Sequence, residues 1–337
     1  MVTRRPDVTT IAEVAARAGV SASTVSRVMN GRFAGDPEVA DRVRTAASEL
    51  RYAPNHLARS FAMGQTSAIA FLVPDLANPS SQAVLAALSS AAAADGYRVL
   101  VADSAESATD EPLLAADIRR RSDALVLCAP RMSDAELIRS AEALAPVVLL
   151  NRACHGLPAP TLSVDSRAGF EHLTRHLYSL GHRRFVYVEG PDGVANRNRI
   201  NGIGDFTATV QDLSLVRVPG GGTSEDGLAA VNEVVGTGAT AAMAFNDLVA
   251  VGLVHGLLER GVAVPGDVSV TGFDDIPFAR FMSPSLTTQS VPHQMLGELG
   301  WARMRALLRD EPPEHDLLIQ PRLEVRRSTA PPPSPRG

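Results

Sequence analysis

A chain of 337 residues is long enough for about two domains of ~150 residues, each with a sizeable core. Its 32 basic and 37 acidic side chains leave a net charge of −5, which excludes a polycation that coats nucleic acid along its whole length. Two cysteines far apart exclude a disulfide framework, and no apolar run reaches the ~18 residues of a membrane span. The charge is unevenly placed: residues 1–63 hold nine Arg against six Asp and Glu, a head of +3 on a body of −8. Phosphate contact is therefore expected at one end only. No signal-peptide pattern precedes the first motif, so a cytoplasmic address is expected.

The head is organised by residues 10–30. Thr10 with Glu13 three residues later makes a capping box for a helix whose apolar face is Ile11, Val14, Ala15 and Ala18. Gly19 supplies the left-handed turn, Val20 fills the angle, and Ser21 caps a second helix that turns Val25 and Val28 inward. Its outward face is Ala22, Ser23, Ser26 and Arg27. Small polar side chains and one arginine suit entry into a major groove, where Arg bonds both guanine acceptors. Asp36-Pro37 opens a third helix through Val39, Val43, Ala46, Ala47 and Leu50, completing a three-helix headpiece. A short helical segment, Tyr52 to Gly64, follows; a two-turn helix is unstable alone and is expected to order against DNA and a partner copy. On it, Phe61 is a candidate wedge between base pairs of the minor groove, and His56 a candidate phosphate contact.

Residues 10–64 resemble the head and hinge of the LacI/GalR family of bacterial transcriptional regulators, through the run Val20-Ser21 to Asn30 and through Tyr52-Ala53-Pro54-Asn55. The resemblance implies that Ala22, Ser23 and Arg27 read bases, and that Phe61, with Ala58 beside it, stands where the family usually carries Leu as its wedge. Thr10, Ser21, Ser26, Asn30, Tyr52, Asn55 and His56 complete the expected DNA-facing set.

From Ser67 onward, apolar runs alternate with helical segments: 69–73, 99–101, 124–128 and 147–150, then 185–188, 215–218, 241–245 and 268–270. Such alternation predicts parallel sheets in two similar lobes, with a ligand site beyond the carboxyl ends of the strands. Polar residues there are Asp75, Asn78 to Ser81, Asn151, Asp165, Arg197, Arg199, Asn246, Asp247, Asp274 and Asp275. Paired Asp, Asn and Arg grip vicinal hydroxyls through charge-assisted bonds.

Val73-Pro74-Asp75, Val164-Asp165, Gly190-Pro191, residues 197–202, Phe245-Asn246-Asp247 and residues 272–275 are similar to the family's effector domain. The resemblance implies effector contacts at Asp165, Arg199, Asn246 and Asp274, joined by Ser80, Ser81, Phe273 and His293. Relatives often carry aromatic residues where this chain has Ser80 and Ser81, so ring stacking is reduced and the pocket is more polar.

Rival chemistries are weaker. Adjacent Asp274 and Asp275 point apart and lack a separate catalytic partner. His172 and His176 lie one helical turn apart without the inner Glu or third ligand of a zinc site, so a solvated face is expected. Gly220-Gly221-Gly222 has no Lys-Ser or Lys-Thr after it and reads as a flexible loop. The expected architecture is α/β: a helix-turn-helix headpiece (1–53), a hinge helix and linker (54–65), and a two-lobed periplasmic-binding-protein-like core (66–328). Lobe one is placed at about 66–165 plus 293–322, lobe two at about 166–292 plus 323–328, and a disordered tail at 329–337. The expected function is a homodimeric, sequence-specific repressor on a palindromic operator, controlled by a small-molecule effector of carbohydrate type. No enzyme activity, cofactor, metal or membrane partner is expected. Competing readings are a sugar-binding receptor on the same scaffold and an effector-independent DNA-bending regulator.

Overall fold

The computed structural model describes residues 9–29, 31, 33–52 and 66–334, and divides into two units, Met1–Thr66 and Ser67–Gly337. In the first unit, α1 (Ile11–Ala18) opens on the capping box: Thr10 Oγ1 accepts from the Glu13 N–H at 3.4 Å and Glu13 Oε2 accepts from the Thr10 N–H at 2.6 Å. Gly19 ends it at φ 67°, a conformation that costs a residue without Cβ nothing. α2 (Ala22–Met29) begins at Ser21, whose Oγ accepts from the Thr24 N–H at 3.2 Å. α3 (Pro37–Glu49) begins with Pro37 behind Asp36, whose carboxylate accepts from the Glu38 N–H at 2.9 Å. Val14, Val25, Val28 and Val43 meet in the small core these helices share, and Tyr52 packs on its edge.

The second unit starts with β1 (Ala68–Val73), α4 (Pro79–Ala94), β2 (Arg98–Asp103), α5 (Glu111–Arg119), β3 (Ala124–Cys128), α6 (Asp134–Leu144), β4 (Val147–Leu150) and β5 (Thr161–Val164). The chain then crosses to a second lobe: α7 (Ser166–Ser179), β6 (Arg184–Val188), α8 (Val194–Thr207), β7 (Ser214–Val218), α9 (Ser224–Ala229) and α10 (Val231–Gly236). That lobe continues through β8 (Ala241–Ala244), α11 (Asp247–Glu259), β9 (Ser269–Asp274), α12 (Pro277–Phe281) and β10 (Thr287–Ser290). The chain returns to lobe one as α13 (His293–Leu308) and β11 (Leu317–Ile319), and crosses a third time into β12 (Arg322–Glu324).

Each lobe is a six-stranded sheet, ordered β2-β1-β3-β4-β5-β11 and β7-β6-β8-β9-β10-β12. All neighbours run parallel except β10 and β12. β1, β3, β4 and β8 are buried at every position because helices cover both faces, which is why they read as unbroken apolar runs. α13 packs along α4, so the returning segment is integral to lobe one.

Three expectations are corrected. Arg322, placed with lobe one, begins β12 in the sheet of lobe two. The tail, expected disordered from residue 329, is fastened at its start: Thr329 Oγ1 meets His176 Nε2 at 3.1 Å, His182 Nε2 donates to Ala330 O at 2.8 Å, and the Ala330 N–H donates to Ser269 Oγ at 3.0 Å. These bonds satisfy backbone groups that composition alone suggested water would solvate. His176 thereby leaves the solvated face expected for it, whereas His172 stays exposed. No helix among the described residues is long and apolar enough to cross a membrane.

Candidate functional site

Within the second unit, loops at the carboxyl ends of both sheets enclose a cavity of about 900 Å³. Its wall brings together Ser80, Ser81, Asp165, Arg199, Asn246, Phe273 and Asp274. Arg199, on α8, is 7% exposed; its guanidinium carbon lies 3.9 Å from the ring centroid of Phe245 and 4.9 Å from that of Phe273. Its Nε has no hydrogen-bond partner among the described residues. Burial pulls this guanidinium below its usual pKa, against the attraction of Tyr187 and Asp274. A buried donor left unpaired costs stability; the Nε is closed off, so an acceptor entering the cavity meets the terminal nitrogens of the guanidinium, which make no hydrogen bond among the described residues.

Asp274 ends β9 at φ 119° and Asp275 follows at φ 58°, both in the left-handed region. Strain of this kind gathers at functional sites, and here it sends successive carboxylates to opposite sides. Asp275 accepts from Arg280 at 3.0 Å and from Arg326 at 2.6 Å, while Asp274 lines the cavity. Burial pushes the Asp274 carboxyl up to about 7, with Arg199 opposing the rise. Asp247 does not line the cavity: it accepts from Thr288 Oγ1 at 2.5 Å and the Ile276 N–H at 2.9 Å, and burial, then Asp274, lifts it to about 8.

Other expected residues are partly committed to structure. Asn246 Oδ1 accepts from the Val249 N–H at 2.9 Å, capping α11, and its Nδ2 donates to Gly222 O at 2.8 Å. That bond pins the glycine run at a position expected to be a flexible loop. Asp165 caps α7 through the Ala168 N–H at 2.9 Å and accepts from Gln320 Nε2 at 3.1 Å. Ser80 opens α4 behind Asn78 and Pro79, and its Oγ lies 2.7 Å from His293 Nε2. His293 is absent from the cavity wall; burial lowers its imidazole to about 4, and it orients Ser80 from behind.

Lobe one contributes residues that the sequence reading passed over. Arg131, after β3, pairs with Glu106, after β2, through two hydrogen bonds. Arg152, after β4, donates to Pro130 O at 2.6 Å and Asp134 at 2.5 Å, with its Nε unpartnered. Buried Glu111 accepts the N–H groups of Arg131 and Met132, both at 2.6 Å, and so fixes this loop. The rule that polar residues follow strands applies to Glu106, Arg131 and Arg152 as it does to Asn151.

On the headpiece, Ala22, Ser23 and Arg27 are exposed along α2 and Ser26 is half-buried. Thr10 is occupied in its capping box, and Ser21 Oγ also bonds Ser23 Oγ at 2.8 Å. Tyr52 is half-buried, its N–H donating to Ala47 O at 2.8 Å. Asn30, Asn55, His56, Ala58 and Phe61 lie outside the described residues.

An amino-terminal helix-turn-helix joined in one chain to a two-lobed parallel-sheet core defines the helix-turn-helix class of transcriptional regulator. Residues 10–55 match the family described as bacterial regulatory proteins, lacI family, and residues 174–329 match the periplasmic binding protein-like domain. In an alignment of 339 positions that covers 96% of this chain, it is 34% identical to an uncharacterised HTH-type transcriptional regulator in the aml 5′ region of Streptomyces limosus, of which 95% is covered. It is 31% identical over 330 residues to the HTH-type transcriptional regulator GalR of Escherichia coli K12, covering 96% of both chains. Among solved structures, the lac repressor dimer bound to operator and the anti-inducer ONPF superimposes with a TM-score of 0.84 at 25% identity, over 96% of this chain and 99% of that one. The protein belongs to the LacI family of bacterial transcriptional regulators and is not an enzyme.

Proposed function

We propose that the protein is a cytoplasmic, homodimeric repressor that binds a palindromic operator and is controlled by a sugar or sugar derivative in the cleft. The observation that carries this reading is Arg199: a 7%-exposed cation that makes no hydrogen bond among the described residues, facing a cavity in a chain whose other end presents Ala22, Ser23 and Arg27 on an exposed helix. Retaining an unsatisfied buried arginine makes physical sense when a ligand completes its bonds. Arg27 then reads a base edge in the major groove, and two copies match the two-fold symmetry of the operator. Exposed aromatics on α12, Phe278 at 56% and Phe281 at 84%, support an apolar contact with the second copy.

The effector acts through the difference in its contacts between two lobe arrangements. A ligand touching Arg199 and Asp274 of lobe two and Ser80 and Ser81 of lobe one favours the arrangement in which both grips reach it. The test is a titration of the protein onto DNA from its own upstream region at fixed salt, with and without a panel of sugars and phosphosugars. Release of specifically bound DNA by one compound is expected; absence of specific DNA binding would overturn the reading.

A further inference from the structure

We propose that the ligand of this cleft is a neutral oligosaccharide of at least two rings, held at one end by Arg199 and Asp274 and at the other by the Arg131–Glu106 and Arg152–Asp134 pairs. The inference rests on the effector reading above and specifies its ligand. Size is the first argument. A cavity of about 900 Å³ holds roughly 30 waters at ~30 Å³ each, and a single hexose of about 12 non-hydrogen atoms displaces well under half of them.

Charge is the second. The cavity wall carries five arginines against seven aspartates and glutamates, an excess of carboxylate that opposes a phosphate or a sugar acid. The third is the absence of an open aromatic face. The phenyl rings in the wall, Phe245 and Phe273, are 5% and 2% exposed and are overlaid by the Arg199 guanidinium, so a nucleobase finds nothing to stack on.

Groups in opposite lobes give the ligand its length. Arg199 of lobe two makes no hydrogen bond among the described residues, while the Arg131–Glu106 pair, 15% and 34% exposed, and Arg152 with Asp134 line the same cavity from lobe one. Each lobe sets carboxylates with its arginines, Asp274 on one side and Asp134 and Glu106 on the other, giving donors and acceptors matched to adjacent hydroxyls. A ligand that engages both ends spans the cleft.

Calorimetric titration of the full-length protein with maltose, cellobiose, lactose and maltotriose, beside glucose, galactose and glucose 6-phosphate, tests the proposal. At least one of the larger sugars is expected to bind tenfold or more tightly than its own monosaccharide and than the phosphate. Arg131→Gln and Glu106→Gln, each checked for folding by its melting curve, should bring that ratio towards one; a ratio unchanged in both would overturn the second grip. Glucose, galactose or glucose 6-phosphate binding as tightly as the larger sugars would overturn the proposal and leave effector control standing. Binding of none of the sugars would overturn the proposal together with the sugar-effector reading.

Discussion

Arg199→Met should stabilise the free protein and abolish its response to effector. The wild-type side chain is 7% exposed with its Nε unpaired, a loss of about 1–3 kcal/mol, on top of the cost of removing an ion from water. Its compensations are the ring of Phe245 at 3.9 Å, worth ~2 kcal/mol for a desolvated cation, and the attraction of Asp274. Methionine is of similar length and its thioether packs on the same rings for ~0.3–1.5 kcal/mol without a donor to satisfy. Asp274 loses its countercharge but, already lifted to about 7 by burial, takes up a proton near neutral pH at small cost. Apolar replacement of buried ionic groups is commonly neutral or stabilising by ~1–4 kcal/mol, and we expect about 1 kcal/mol here, a rise in melting temperature of ~2–4 °C. Calorimetry without ligand measures the first effect, and operator release in the presence of ligand the second. A variant that melts several degrees lower would show that the arginine is a structural strut, and one that still releases DNA on addition of effector would remove it from the site.

Asp247→Asn tests the buried acid behind the site. A carboxyl raised from about 3.9 to about 8 gives the folded state a proton that the unfolded chain has lost; this stabilisation is complete below about pH 4 and disappears as pH rises through about 8. The wild type should therefore lose stability relative to Asp247→Asn between about pH 4 and 8, and parallel melting profiles would sink the assignment. Phe281→Asp, at an 84%-exposed position, should leave the fold intact while shifting sedimentation towards monomer and weakening operator binding; an unchanged dimer would place the interface elsewhere. Arg27→Ala should relax base preference at one operator position by ~1–3 kcal/mol, whereas a uniform loss across all sequences would mark it as a phosphate contact. Gly252→Ala puts a methyl 1.8 Å from Ser224 O and forces α9 and α11 apart, so denaturant midpoints should fall by an equivalent of ~1–3 kcal/mol.

The headpiece was legible because its signals are local: Thr10, Glu13, Gly19, Ser21 and Asp36-Pro37 each act within a few residues, and their caps and turns form as expected. The central strands were legible because burial on both faces demands continuous apolar runs. β10 was not, because its buried residues are Thr287, Thr288 and Gln289, held by hydrogen bonds to Thr329, Asp247 and Gly169 that the sequence brings together from far away. In the same way Asp274 and Arg199 were found as polar residues after strands or in the matching family segment, but their unequal roles were not visible there. Which carboxylate faces the cavity depends on two positive φ angles and on Arg326, 51 residues downstream. The role of His293 as a support for Ser80 likewise needed a contact across 213 residues.

The third crossing between the lobes is made by Gln320 and Pro321 alone, between Ile319 at the end of β11 and Arg322 at the start of β12. The three Cα–Cα steps from Ile319 to Arg322 reach about 10–11 Å, and Gln320 is also tied to Asp165, which sits at the first crossing. So short a leash leaves little room for translation: the lobes cannot draw apart along their common axis, only swing. Whatever message the cleft sends to the amino-terminal end must then be carried as an angle, and a small change at the ligand becomes a larger displacement with distance from the pivot. Probes placed near residue 320 should accordingly record almost no change in separation, while pairs at the far rims of the two lobes record the whole of it.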